Sequence, residues 1–144
     1  MKKILLLTSI LFLGVALRAQ TDPSADVDLA EHKIVIQLTS ADTNVHKMLV
    51  KQLGNILTSA PNSKVEVVLH GPGIEMMMSK KTIVYPKVVE LKSKGIEFVV
   101  CENALRERKV TKEEIVKEAS FVKAGIIEIV KKQEEGWSYI RAAQ

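Results

Sequence analysis

Two residues of this 144-residue chain with chemistry to offer stand at the ends of apolar runs. Cys101, its one cysteine, follows IEFVV (96–100), and His70 follows KVEVVL (64–69). A thiol is a useful nucleophile as its thiolate, and its ordinary pKa of about 8.5 falls near cations, near a protonated imidazole or at a helix start. Each of these aids has a source in the sequence. His70 is an imidazole, Arg106, Arg108 and Lys109 follow Cys101 within a turn or two, and Asn103 can open a short helix whose free amides point back at sulfur. Glu102 opposes them. The loop HGPG (70–73) adds Gly71 and Gly73, whose amides can cradle an anion. The set offers nucleophilic sulfur chemistry: a thiolate at Cys101, tuning or proton shuttling by His70, orientation of a sulfur anion by Gly71, Gly73 and Asn103, and a positive field from Arg106.

Each feature also has a plain structural use. Cysteine is among the most buried residue types, a histidine after a strand often sits in a turn, and the basic run 106–109 also reads as a solvated loop. Two glycines around a proline mark a turn. The methionines at 76–78 read as core, lid or subunit contact rather than as soft ligands for copper. Other site patterns are missing: no phosphate loop ending in Gly-Lys-Ser/Thr, no dinucleotide fingerprint after the first strand, no paired-cysteine motif, no zinc-ligand spacing and no Gly-x-Ser-x-Gly elbow. No metal and no cofactor is expected.

The elements that must position these residues begin after an export-type leader. Residues 1–19 combine Lys2 and Lys3, an apolar stretch at 4–17 and a small-residue cleavage pattern ending at Ala19. The stretch is about 14 residues, short of the roughly 20 a membrane-spanning helix needs. It reads as a signal peptide, placing the mature chain in the periplasm or otherwise outside the cytoplasm, with no membrane attachment after cleavage. Residues 1–19 carry Lys2, Lys3 and Arg18 and no acid, so the formal charge of +4 falls to +1 without them. A nearly neutral chain lacks the basic face that nucleic acid selects, and no nucleic-acid partner is expected. Residues 20–31, polar and turn-rich, read as a flexible leader, and 32–144 as one domain.

Within the domain, KIVIQLT (33–39), KVEVVL (64–69), IEFVV (96–100) and WSYIR (137–141) read as strands, with a weak further strand at 121–123. Helical spacing appears in Val45, Met48, Leu49, Leu53, Ile56 and Leu57, across 82–94 up to a capping Gly95, and over 125–135 up to Gly136. Thr111 and Glu114 have the spacing of a capping box. Strands alternating with helices predict an α/β fold with a parallel sheet covered on both faces. Ligands of such sheets bind beyond the carboxyl ends of the strands, where Cys101 and His70 share one rim if their strands are neighbours.

The segments VVLHGPG (67–73), KGIEFVVCENAL (94–105) and AGIIEIVKKQEEGWSYIR (124–141) resemble, in order and spacing, the DsrE/DsrF-like family, a likeness covering 32–141. The resemblance implies a three-layer α/β/α domain with a five-strand parallel sheet in the order 4-3-2-1-5, and assembly into homotrimers or homohexamers. It also implies sulfur relay, with Cys101 accepting and passing a persulfide sulfur between a donor and an acceptor thiol, and His70 in the pocket. Two readings follow: a sulfur carrier with at most weak sulfurtransferase turnover, or a non-enzymatic oligomeric binding module in which Cys101 only packs.

Overall fold

The computed structural model describes residues 27–142. The expected signal peptide and the leader up to residue 26 lie outside the described residues. Five strands form one parallel sheet: β1 (Lys33–Leu38), β2 (Lys64–Leu69), β3 (Glu97–Cys101), β4 (Ala119–Val122) and β5 (Ser138–Arg141), in the spatial order β4-β3-β2-β1-β5. Four α-helices join them: α1 (Thr43–Ser59), α2 (Tyr85–Ser93), α3 (Glu102–Glu107) and α4 (Gly125–Glu134). The α/β class, the parallel pairing and the order 4-3-2-1-5 agree with the sequence reading.

Alternation along the strands sorts side chains between two unequal faces. Ile36, Leu38, Val67, Leu69, Phe98 and Val100 point to one face, where they pack with Leu49 and Leu53 of α1 and Val88 and Leu91 of α2. Each such side chain, fully buried, contributes about 1.5–3 kcal/mol of transfer free energy. The Asp42 carboxylate starts α1 by accepting from the Asn44 amide at 2.8 Å. The methionines belong to this core, Met76 and Met77 being wholly buried.

Among the described residues the opposite face has α4 alone, resting through Ile129 on Val35 and Val68, with Trp137 at the margin. Ile126, Ile127 and Val130 of α4 face outward. Beneath the helix, Glu66 of β2 is buried and pairs with Lys132 at 2.9 Å, and the Lys132 ammonium also lies 4.5 Å from the centre of the Trp137 ring. Burial holds the Glu66 carboxyl above its usual pKa range.

Local structure departs from expectation in several places. The loop after His70 winds into a 3-10 helix (Gly71–Met77): Gly71 takes φ +51°, Pro72 removes a donor where none is needed, and the Gly73 amide closes the first turn on the His70 carbonyl at 3.1 Å. The weak strand expected at 121–123 is β4, set two residues earlier by its pairing of Phe98 with Ala119 and of Cys101 with Val122. Thr111 and Glu114 form the expected capping box, on a 3-10 turn (Lys112–Glu114). Of the expected leader, residues 27–31 hydrogen-bond to the domain: the Asp28 amide donates to the Ser59 carbonyl and the Asn62 amide group to the Leu29 carbonyl, both at 2.7 Å.

Candidate functional site

The register of the two central strands builds the site. β2 and β3 are parallel neighbours with Leu69 opposite Val100, so His70 and Cys101 leave the sheet side by side. Gly125, the first residue of α4, seats between them. A Cβ on Gly125 would lie 3.2 Å from the Cβ atoms of both Cys101 and His70, and 3.1 Å from Val68 Cγ1, so glycine lets the helix start come this close. From there the Gly125 amide donates a hydrogen bond to Cys101 Sγ at 3.2 Å. This amide is one of the unpaired donors of a helix N-terminus, where the partial charge is positive.

A pocket of about 260 Å³ opens here, walled by His70, Gly71, Cys101, Asn103, Glu107 and Gly125, with Ala104, Ala124 and Ile126 completing it. Cys101 is only 4 % exposed, so a reagent meets its sulfur through this pocket. His70 is half-buried, and burial lowers its pKa below the usual histidine value. Its Nε2 lies 2.6 Å from the side-chain nitrogen of Gln37 on β1, and the oxygen of that amide accepts from the Tyr139 hydroxyl on β5.

The remaining predicted residues divide. Gly71 and Asn103 stand in the wall. The expected helix start at Asn103 falls one residue earlier, with Cys101 itself in the N-cap position of α3. The Asn103 amide donates to the Lys123 carbonyl at 3.2 Å instead of turning to sulfur, and its side-chain oxygen accepts from the Arg106 guanidinium. Arg106 is exposed and outside the wall. Gly73 is also outside it: a Cβ there would meet the Leu38 carbonyl oxygen at 2.2 Å, so this glycine serves the close packing of the 3-10 segment on the end of β1. Of the cations expected to aid the thiol, Arg108 is paired with Glu75 at 2.6 Å, and Glu107 adds an acid to the wall, while the opposing Glu102 is itself offset by Lys112 at 2.5 Å. The donor at sulfur is Gly125, a residue the sequence reading did not single out. A helix-opening glycine is a weak signal; the stronger one was Gln37, a polar side chain inside the β-branched run of a buried strand. Among the described residues, no three His, Cys, Asp or Glu side chains are grouped to hold a metal ion, and no helix is long and apolar enough to cross a membrane.

Comparison with known proteins places this geometry in a family context. Residues 32–142 match the model of the DsrE/DsrF-like family. No curated protein matches the chain. Among solved structures, a protein of unknown function from Methanobacterium thermoautotrophicum superposes with a TM-score of 0.73 at 25 % identity, covering 76 % of this chain and 98 % of that one. A conserved protein of unknown function from Bacteroides thetaiotaomicron does so with a TM-score of 0.62 at 18 % identity, covering 76 % and 93 %, a likeness of fold alone.

Proposed function

From the premise that this chain belongs to the DsrE/DsrF-like family, we propose that it is a sulfur carrier in which Cys101 bears a transferable persulfide. The observation that carries the reading is the Gly125 amide directed at Cys101 Sγ at 3.2 Å inside a pocket shared with His70. An N–H donor at a helix N-terminus stabilises negative charge on sulfur, in the thiolate and in a persulfide anion. Cys101 thiolate attacks the outer sulfur of a donor hydropersulfide. The new bond joins Sγ to that sulfur, the donor's sulfur–sulfur bond breaks, and the donor leaves as a thiolate while the proton stays on the transferred atom. An acceptor thiolate reverses the sequence and regenerates Cys101 thiolate. The transferred sulfur keeps its oxidation level, so no external oxidant or reductant enters. His70 and Asn103 border the space where the outer sulfur sits, and Gly71 leaves that side of the pocket free of a side chain.

The reading includes export, supported by the signal-type pattern at 1–19, and a homotrimer or homohexamer; light scattering at micromolar concentration that gives a monomer mass would remove the latter. The test of the carrier is incubation of the mature protein with a hydropersulfide donor followed by intact mass measurement. The expected result is a gain of one sulfur atom on the wild type and none on Cys101→Ser. An equal gain on both, or none on either, refutes it.

A second reading has its own observation. Cys101 is 4 % exposed, as befits a packing cysteine in a non-enzymatic binding module. Alkylation separates the two: a carrier thiol reacts in the folded protein near neutral pH, a packing thiol only on unfolding.

A further inference from the structure

We infer that Gln37 and Tyr139 are positioning residues that hold His70 as the neutral imidazole with its proton on Nδ1, making it a hydrogen-bond donor for the pocket rather than a proton shuttle. The three side chains come from adjacent strands, β2, β1 and β5, on the face that carries α4. A primary amide has one accepting end and one donating end. The Tyr139 hydroxyl donates to Gln37 Oε1, which leaves the NH2 group of the amide facing His70 Nε2 at 2.6 Å. The competing arrangement turns the amide, its NH2 donating to the tyrosine oxygen and its Oε1 accepting from an Nε2–H, and the experiment below separates the two. A donor facing a ring nitrogen requires a lone pair there, so Nε2 is bare and the neutral ring carries its proton on Nδ1. Protonating Nε2 would set two N–H groups against each other, which reinforces the effect of burial in keeping the ring neutral.

The consequence for chemistry is a division of labour. Nε2 is engaged by Gln37 and cannot accept a proton while that bond stands. Nδ1 is the ring's other polar atom, has no protein partner among the described residues, and belongs to a side chain that walls the sulfur pocket. A bound sulfur anion thus meets two donors of different origin, the Gly125 amide and the His70 ring. Stabilisation by donors fixed in advance needs no reorganisation at the moment of transfer. The bearing on sulfur transfer rests on the carrier reading above; the position of the proton does not.

The experiment is long-range proton–nitrogen NMR of His70 in protein labelled with 15N at histidine, at neutral pH, on the wild type, Gln37→Leu, Gln37→Glu and Tyr139→Phe. The wild type is expected to show a protonated Nδ1 and a bare Nε2. Gln37→Glu replaces the donor with acceptors and moves the proton to Nε2. Gln37→Leu removes the bias and gives a mixture, and Tyr139→Phe, a change at an exposed position, frees the amide to turn and gives a partial shift in the same direction. A wild-type ring protonated on Nε2, or a Gln37→Leu spectrum identical to the wild type, overturns the inference. The rate of persulfide transfer from Cys101 in Gln37→Leu is expected to fall in proportion to the share of rings lost to the other tautomer. If the spectra behave as stated but Cys101 takes up no sulfur in the wild type, the carrier reading fails and the positioning role stands; if sulfur is carried but the proton is on Nε2, the reverse holds.

Discussion

Replacing Gly125 with alanine places one methyl group at the point where helix, thiol and imidazole meet. The new Cβ falls 3.1 Å from Val68 Cγ1 and 3.2 Å from the Cβ atoms of Cys101 and His70, against an optimal carbon–carbon separation of ~3.5–4.0 Å. Two of these neighbours are Cβ atoms, fixed to their strands, so relief has to come from moving α4 or the strand ends. Overpacking of this kind costs about 1–3 kcal/mol. Alanine returns part of that, up to about 1 kcal/mol in a helix interior and less at its first residue. The expected balance is a loss of about 1–2 kcal/mol, or a fall in Tm of roughly 4–10 °C for a domain of this size. Gly54, in the middle of α1, is the internal control, because a Cβ there meets nothing within 4 Å. The same substitution at Gly54 is expected to raise stability by about 0.5–1 kcal/mol. Thermal and urea unfolding of the two variants read the contrast. A Gly125→Ala protein as stable as the wild type would refute the argument that this glycine is present for close approach.

Other perturbations probe the remaining features. Gly73→Ala sets a Cβ 2.2 Å from the backbone oxygen of Leu38, so its destabilisation should exceed the ~1–3 kcal/mol of ordinary overpacking and is checked by circular dichroism and soluble yield. Burial raises the Glu66 carboxyl above its ordinary 4.5, so the folded chain keeps a proton there that the unfolded chain has released. The stability of wild type relative to Glu66→Gln should therefore be greatest below pH 4.5 and decline as pH rises through the folded value, measured as urea midpoints across pH. For His70 the sign is opposite. Burial lowers it below 6.5, so its contribution relative to His70→Gln is complete above pH 6.5 and is lost as pH falls through the folded value, read from the same titration.

The fold was legible because most of its strands are runs of β-branched residues and most of its helices carry a regular apolar step. β4 was the weak case: ASFV is short and half-buried, and its limits come from pairing with β3 rather than from its own pattern. The meeting of His70 and Cys101 was legible too, since both end strands and strand ends share a rim in a parallel sheet. What surrounds them was not. Gly125 lies 24 residues from Cys101, and its approach depends on how α4 packs, which no local pattern records. Asn103 and Arg106 were expected to serve sulfur from a helix opening at 103, but α3 opens one residue sooner and turns the Asn103 amide to Lys123. Gly73 looked like part of an anion cradle because a glycine chosen for tight packing reads the same as one chosen for exposed amides.

The unequal clothing of the sheet has a dynamic corollary. The helix whose leading amide covers the thiol is also the one with the shallowest roots, holding its face through Ile129, Val35, Val68 and the margin of Trp137, while α1 sinks Val45, Leu49, Val50 and Leu53 into the deep side. Native proteins breathe first where least apolar contact is broken, so deuterium should enter the backbone over 125–134 well before 43–59. Detachment of that single segment withdraws the Gly125 amide from Cys101 Sγ and leaves β1 to β4 and α1 intact, so this local opening, not global melting, sets how often the sulfur loses its hydrogen-bond donor.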